Sequence, residues 1–270
     1  MTARLLRRTL LYLALSVAAY LSIFPFYWMV VGATNRSADI INGKPTIGGY
    51  LVQNVQALWS QVDVPRVFWN SAEIAVVATA LTLAISSLAG YGFEMFRSRF
   101  RERLFALMLL FLSIPFAAVM VPLFVMMSSA HIVNSFAAVI LPGISSIFII
   151  FYFRQATKAF PSELRDAARV DGLKEWQIFL FVYLPVMRST YAAATIIVFM
   201  GNWNNYLWPL IVLNTAENKT TTLIISALTS AYVPDYGMIL VGTVLATLPT
   251  LIIFFLLQRQ FVEGLLGSVK

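Results

Sequence analysis

Six long apolar runs alternate with polar or turn-rich segments: residues 9–31, 70–93, 104–127, 136–154, 189–213 and 236–257. The first carries no charged side chain and is long enough to cross a ~30 Å hydrocarbon core with some tilt. The pattern predicts an all-α membrane protein with six transmembrane helices. Prolines mark where these helices depart from straightness. Pro25 predicts a kink in the first, Pro115 and Pro122 a bend in the third, and Pro142-Gly143 a break in the fourth. The fifth is interrupted by Asn202, Trp203, Asn204, Asn205 and Tyr206, and Pro249 falls in the sixth. Tyr27 and Trp28 suit a membrane interface. The first run lacks a small-residue cleavage pattern and reads as a span, not a removed leader.

The connections differ in character. Residues 32–69 read as a loop with a short interfacial helix, 128–135 as a tight turn that leaves His131 on the surface, and 214–235 as a third loop. Residues 161–188, PSELRDAARVDGLKEWQIFLFVYLPVMR, are suited to water and a protein partner. Pro161-Ser162 reads as a helix start with Ser162 as the cap. Asp171-Gly172 reads as a turn, since glycine accepts a positive φ without steric penalty. Trp176, Phe179, Leu180, Phe181 and Val182 resume an apolar helix, and Leu184-Pro185 ends or kinks it. The outcome is a compact charged knob between two spans.

Composition agrees with the pattern. The chain has 270 residues, 60% hydrophobic and 11% charged, where a soluble domain carries about a quarter charged residues. Its net charge of +7 could suggest nucleic acid, but the placement of the basic residues argues against that partner. With both termini and the loops after spans two and four on one side, 15 of the 19 Lys and Arg lie there. Only Arg36, Lys44, Arg66 and Lys219 lie on the other. This asymmetry puts the basic side, including residues 161–188, in the cytoplasm.

Little reaction chemistry is present. The chain has no Cys and a single His, which excludes disulfides, thiolate metal sites and thiol catalysis. There is no nucleophile–base pair, and no GxxxxGK[ST] loop that would cradle ATP phosphates. Polar residues inside a span need a protein, cavity or ligand partner. Asn202, Asn204 and Asn205 supply amide donors and acceptors, and Trp203 and Tyr206 supply flat apolar faces. That mixture suits a neutral polyhydroxyl solute; hydrogen bonding between helices is the equal alternative. Glu73, near a span end, either snorkels to the interface or meets a partner. Few intramembrane ionisable groups and no clear internal repeat weigh against a proton-coupled carrier.

The 161–188 stretch resembles the cytoplasmic coupling loop of ABC importer permeases, the EAA loop. That pattern runs roughly Glu-Ala-Ala, two residues, Asp-Gly-Ala, then an apolar helix ending in Leu-Pro. Asp166, Ala167, Ala168, Asp171, Gly172, Phe179, Leu184 and Pro185 fall on the expected positions. Asp166 stands where Glu is usual, Leu173 where Ala is usual, and Ser189 where a further Pro often occurs. Asp keeps the charge on a shorter stem. The segments FWNSAEIAVVATALTLAISSLAGYGFEMFRSRFR, NWNNYLWPL and QRQFVEGLLGSVK look like the second span, fifth span and tail of carbohydrate-type permeases. The chain is similar to the smaller permease subunit of maltose-type sugar importers.

That resemblance implies a type I ABC importer permease architecture. It implies one transmembrane domain over residues 1–270, with N- and C-termini cytoplasmic, in the inner membrane of a prokaryote. It also implies a complex with a second, different permease, an ATPase pair that holds ATP and Mg, and an extracytoplasmic solute-binding protein. This chain would be non-catalytic, without cofactor or metal, and surrounded by membrane lipid. Glu163, Asp166, Ala167, Ala168, Arg169, Asp171, Gly172, Leu184 and Pro185 would dock with an ATPase subunit, and Glu263 and Gly264 would reach towards its interface. The 214–235 loop would project into the binding protein. Cargo stays open between a di- or oligosaccharide and a glycerol-phosphate-like solute. In the maltose system the partner permease makes most sugar contacts, which weakens the case for Asn202–Tyr206 as a binding site.

Overall fold

The computed structural model describes the backbone of residues 2–266 and the side chains of 5–259. Among the described residues the secondary structure is entirely helical. The chain opens with α1 (Thr2–Ala33), α2 (Ser37–Ile41), α3 (Leu51–Gln61) and α4 (Val64–Met95). α5 (Arg99–Phe111), α6 (Phe116–Ser129), α7 (Phe136–Ile140) and α8 (Ile147–Thr157) follow. The polar stretch holds α9 (Ser162–Val170), α10 (Glu175–Ile178) and α11 (Leu184–Val186). α12 (Arg188–Trp203), α13 (Leu207–Val212), α14 (Thr221–Thr229) and α15 (Tyr236–Leu266) complete the order.

Three helical segments are long and apolar enough to cross a membrane unbroken: Leu5–Ala33, Val64–Met95 and Tyr236–Arg259. Two of the other apolar runs are broken helix pairs, and a third bend stands where the polar stretch enters the fifth run. Arg99–Phe111 and Phe116–Ser129 meet at 102°, Phe136–Gly143 and Ile147–Thr157 at 43°, and Glu175–Val186 and Arg188–Val212 at 81°. Pro115 accounts for the first break. It stands just before α6 with φ −64° and ψ 139°, and its ring drives the preceding residue out of helical space. Pro25, Pro122 and Pro249 are carried inside continuous helices, so Pro122 contributes no break of its own. Pro142 sits in a 3-10 turn over Leu141–Gly143.

Contacts divide the chain into two compact units. One comprises Met1–Pro65 with Ile224–Leu248, the other Arg66–Leu223 with Pro249–Lys270. In the first, buried amides stand among buried apolar side chains such as Val31, Leu58 and Met238. Asn54 Nδ2 donates to the carbonyls of Ala33 and Asn35, both at 2.9 Å. Asp235 caps the start of α15, accepting from the N–H groups of Gly237 and Met238 and from the Ser37 hydroxyl. A Cβ on Gly237 would lie 2.6 Å from the Asn54 amide, so only glycine allows this approach.

The second unit has several apolar clusters. Ile74, Ala78, Met127, Val139, Trp208 and Val212 form one, with the Trp208 indole donating to the Ala138 carbonyl at 2.8 Å. Ile149, Phe153, Ala194 and Val198 form another. Tyr91, Phe160, Phe179, Tyr183 and Met187 form a third, beneath the polar stretch.

Candidate functional site: a clamped two-helix knob

The 161–188 stretch folds as the spacing of its polar residues predicts, with two differences. Helix α9 begins at Ser162, but Pro161 is the residue before it and no side chain caps the start. Ser162 is therefore the first helical residue and not the cap. α9 ends in a Schellman arrangement. Gly172 N–H donates to Arg169 and Leu173 N–H to Ala168, each at 3.0 Å, with Gly172 at φ +82°. That left-handed φ is the reason for glycine here.

The second difference lies in the apolar helix. α10 passes into a π-helical turn over Phe179–Tyr183 before α11. Pro185 gives the reason. It has no N–H to offer the Phe181 carbonyl, and its ring would crowd that carbonyl in a regular α-helix; wider winding relieves both. Met187 then leaves helical space at φ −88°, ψ 15°, and the chain turns into α12.

Glu175, at the start of α10, holds the knob together. Its Oε1 accepts from Arg169 Nε and Nη2, at 2.7 Å and 2.6 Å, and its Oε2 accepts from Arg165 Nη2 at 3.1 Å. One carboxylate thus joins two arginines a helical turn apart on α9 to α10. Burial pushes the Glu175 pKa up, but hydrogen bonds from Arg169 and Arg165 outweigh it and hold the carboxyl below its usual value. Arg165 also reaches back to α4, donating to the Met95 carbonyl at 3.4 Å and lying 4.8 Å from the centre of the Phe96 ring. Tyr183 shares a 2.7 Å hydrogen bond with Thr157 at the end of α8. The knob is thus tied to both α4 and α8.

The predicted docking residues divide by direction. Glu163, Asp166, Ala167 and Val170 are exposed, and their spacing places them on one face of α9. Val170 is 88% exposed, unusual for an apolar side chain in a charged helix. Ala168 is buried, while Asp171, Gly172, Leu184 and Pro185 are exposed. Arg169 is engaged with Glu175 inside the knob. Glu263 and Gly264 lie in the last turns of α15, and their side chains fall outside the described residues.

Sequence reasoning did not single out a second ionic node beside the knob. Arg154, on the last turn of α8, is buried and pairs with Glu94 at 3.4 Å and Glu102 at 2.6 Å. Its guanidinium lies 4.1 Å from the centre of the Phe105 ring. A nearly buried arginine satisfied by two carboxylates and a ring fixes the ends of α4, α5 and α8 together. The sequence signal was an Arg inside an apolar run, eight residues before the knob.

The 214–222 loop is equally ordered, by neutral groups. Asn134, at φ +63°, points Oδ1 at the N–H groups of Asn214 and Thr215, at 2.9 Å and 3.2 Å. Asn70 Nδ2 donates to the Glu217 carbonyl at 2.7 Å and the Lys219 carbonyl at 3.1 Å. Ser71 and Thr221 share a 2.9 Å hydrogen bond.

The polar interruption in the fifth run separates into parts. Trp203 is buried, stacked on Phe199 and edge-on to Phe68. Asn204 turns back on its own helix, donating to the Met200 carbonyl at 2.9 Å. The Asn205 carbonyl accepts from the Thr222 hydroxyl at 2.9 Å, and Tyr206 is partly exposed. Asn202 alone of the five lines a cleft of about 200 Å³, whose other polar side chains are Thr82 and Ser146. Asn202 thus faces a cleft, while the side-chain bond of Asn204 stays within its own helix.

An all-helical chain with broken apolar spans and a clamped charged knob is the architecture of an importer permease. The chain belongs to the family of binding-protein-dependent transport system inner membrane components, whose pattern matches residues 82–266. Its fold is similar to one chain of a bacterial ABC transporter involved in the import of the acidic polysaccharide alginate. The TM-score is 0.79 at 17% identity, over 97% of this chain and 98% of that one. The lactose transport system permease protein LacG of Rhizobium radiobacter is 65% identical over 259 residues, 96% of this chain and 95% of that protein. The arabinooligosaccharides transport system permease protein AraQ of Bacillus subtilis (strain 168) is 34% identical over 270 residues, 97% of this chain and 94% of that protein.

Proposed function

We propose that this chain is a non-catalytic permease subunit of an ATP-driven importer for a neutral di- or oligosaccharide, with lactose the first sugar to test. The observation that carries the coupling role is the knob. One carboxylate locks its two helices, while a continuous face of α9 with Glu163, Asp166, Ala167 and Val170 is left outward. A stiff body with one unoccupied mixed face fits a cleft in a partner. The 65% identity to a lactose permease supports a sugar cargo. So does the uncharged polar lining of the cleft at Thr82, Ser146 and Asn202.

In this reading the whole chain is one permease domain with six spans, in a prokaryotic inner membrane; the bent pairs over 99–129 and 136–157 each count as one, and α12 with α13 forms the fifth. Both termini and the knob are cytoplasmic, on the side with most of the arginines and lysines. A second permease, an ATPase pair and a solute-binding protein complete the complex. ATP and Mg belong to the ATPase pair, and Glu263 and Gly264 lie near it. ATP binding closes that pair. The knob moves with its cleft, and the ties at Thr157, Met95 and Met187 pass the displacement to α8, α4 and α12. Hydrolysis resets the position. The 214–235 segment, which includes α14, meets the binding protein.

The test is to purify the tagged chain from its native membrane under gentle conditions, identify what comes with it by mass spectrometry, and screen any recovered binding protein against sugars. An ATPase pair, a second permease and a lactose-binding partner are expected. Recovery of the chain alone would overturn the subunit reading. A binding protein selective for a glycerol phosphate would overturn the sugar.

A further inference from the structure

Ala89, Gly92 and Phe93 on α4, with Phe100, Arg101 and Leu104 on α5, line a groove of about 450 Å³. Beside it lies a second depression of about 430 Å³, edged by Arg97, Arg99 and Arg103. Phe100, Leu104, Leu107 and Phe111 recur at helical spacing on one face of α5, and all four are exposed, Phe100 by 73%. Arg99 and Arg103 flank that face on one side and Arg101 on the other.

The local charges do not cancel. Arg154 and Arg97 engage Glu94, and Arg154 also engages Glu102. Arg101 donates to the Phe96 carbonyl. Arg99 and Arg103 have no ion-pair partner among the described residues. The groove is therefore apolar along its length with the cationic Arg101 at its lip, and the unpaired Arg99 and Arg103 stand on the other flank of α5. Its floor is open at Gly92, where an added Cβ would meet nothing within 4 Å.

We propose that the α4–α5 groove is a binding site for one anionic phospholipid of the inner leaflet, with an acyl chain along Gly92, Phe93 and Leu104 and the phosphate at Arg101, the arginine that lines the groove. This rests on the membrane topology proposed above, which puts the loop between α4 and α5 at the cytoplasmic face. Charge complementarity selects the occupant. An anionic lipid supplies both the charge that the lip lacks and the chain that the groove accommodates, whereas a neutral lipid supplies only the chain. A lipid held there would sit against the helix ends that Arg154 joins, next to the knob.

The test uses a Phe100→Trp reporter in the full-length chain, purified with the subunits that accompany it and reconstituted in vesicles. Its fluorescence is measured against the otherwise identical parent, with phosphatidylglycerol or phosphatidylcholine brominated on the acyl chain as quencher. Half-quenching by the anionic lipid is expected at a mole fraction on the order of tenfold lower than by the neutral one. Replacing Arg101 with Gln should abolish that preference, whereas replacing both Arg99 and Arg103 with Gln should leave most of it. Gly92→Leu, which fills the groove without a clash, should abolish it while leaving the charges in place. Equal quenching by both lipids in the reporter protein would overturn the site and leave the membrane reading standing. No quenching by either would overturn both. Selective quenching that appears only after the ATPase subunits are stripped away would assign the face to them instead.

Discussion

Glu175 in the knob and Asn134 beside the 214–222 loop perform the same task by different chemistry. Each is one side chain whose oxygen atoms gather several donors from a neighbouring segment. Glu175 gathers two guanidinium groups. Asn134 gathers two backbone N–H groups, and Asn70 reinforces it with two more bonds to the same loop. An ionic clamp on a partly exposed carboxylate is strong in direction but open to screening. A neutral amide clamp is indifferent to salt. In the function proposed above, the ionic clamp would stiffen the knob against a load and the neutral one would fix the other loop's shape for recognition.

The largest effect is expected where the knob's backbone is forced. Gly172→Asp places a side chain at φ +82°, a strain of about 1–2 kcal/mol, in the turn that sets the angle between α9 and α10. Transport should fall to background, with ATP hydrolysis either uncoupled or lost through failed assembly. Normal uptake by a normally assembled variant would remove the coupling role from the knob.

Next is the clamp itself. Glu175→Gln keeps the shape and removes the charge that both arginines share, so uptake should fall several-fold while the complex still assembles. Glu175→Asp, shorter but charged, should recover part of the loss. Sugar uptake and stimulated ATPase activity measured on one preparation separate coupling from stability.

A smaller effect is expected at the neutral clamp. Asn134→Ala removes an acceptor from two N–H groups and puts alanine at a left-handed φ, a loss of about 1–2 kcal/mol locally. Binding-protein-stimulated hydrolysis should drop a few-fold with basal hydrolysis unchanged. An equal drop in both would mean that the loop matters for folding and not for recognition.

Salt and acid give the finest discrimination. Raising ionic strength should loosen the knob, read as faster proteolysis near Lys174, and leave the 214–222 loop untouched. Acid should not separate the two. Burial raises the Glu175 pKa, but its arginine hydrogen bonds outweigh this and lower it. The Glu217 pKa is lowered chiefly by its own backbone N–H and by the Thr215 hydroxyl. For both, the folded value lies below the unfolded one. Their stabilisation is complete above an ordinary carboxylate pKa of about 4.3 and is lost as pH falls through the lower folded value. Protease resistance of both loops should therefore be flat from neutral pH to about 5 and fall only below that.

Much of the site was legible because its signals are local. The Asp171-Gly172 turn follows from glycine's access to positive φ, whereas the burial of Ala168, named with Asp166 and Ala167 as a docking residue, was not read from the sequence. Pro185 signalled a disturbance but not its form, since a kink, a stop and a π-turn all relieve a missing N–H. Arg169 looked like a free contact residue because the carboxylate that holds it stands six residues away, across the turn. Arg154, Asn134 and Asn70 were harder still. Their partners lie 52 to 149 residues away in sequence, and no periodicity records such a pairing.

The sequence by itself determined that the chain is helical and apolar in six runs, where prolines and polar residues interrupt them, and that one charged stretch stands apart. These are properties of single segments, set by backbone sterics and by the transfer of side chains out of water. Tertiary structure alone decided which charges are joined and which remain outward, that Trp203 packs while its neighbour Asn202 lines a cleft, and that the knob is tied to α4 and α8. Those outcomes depend on distances between segments remote in the chain, and local sequence rules do not specify such distances.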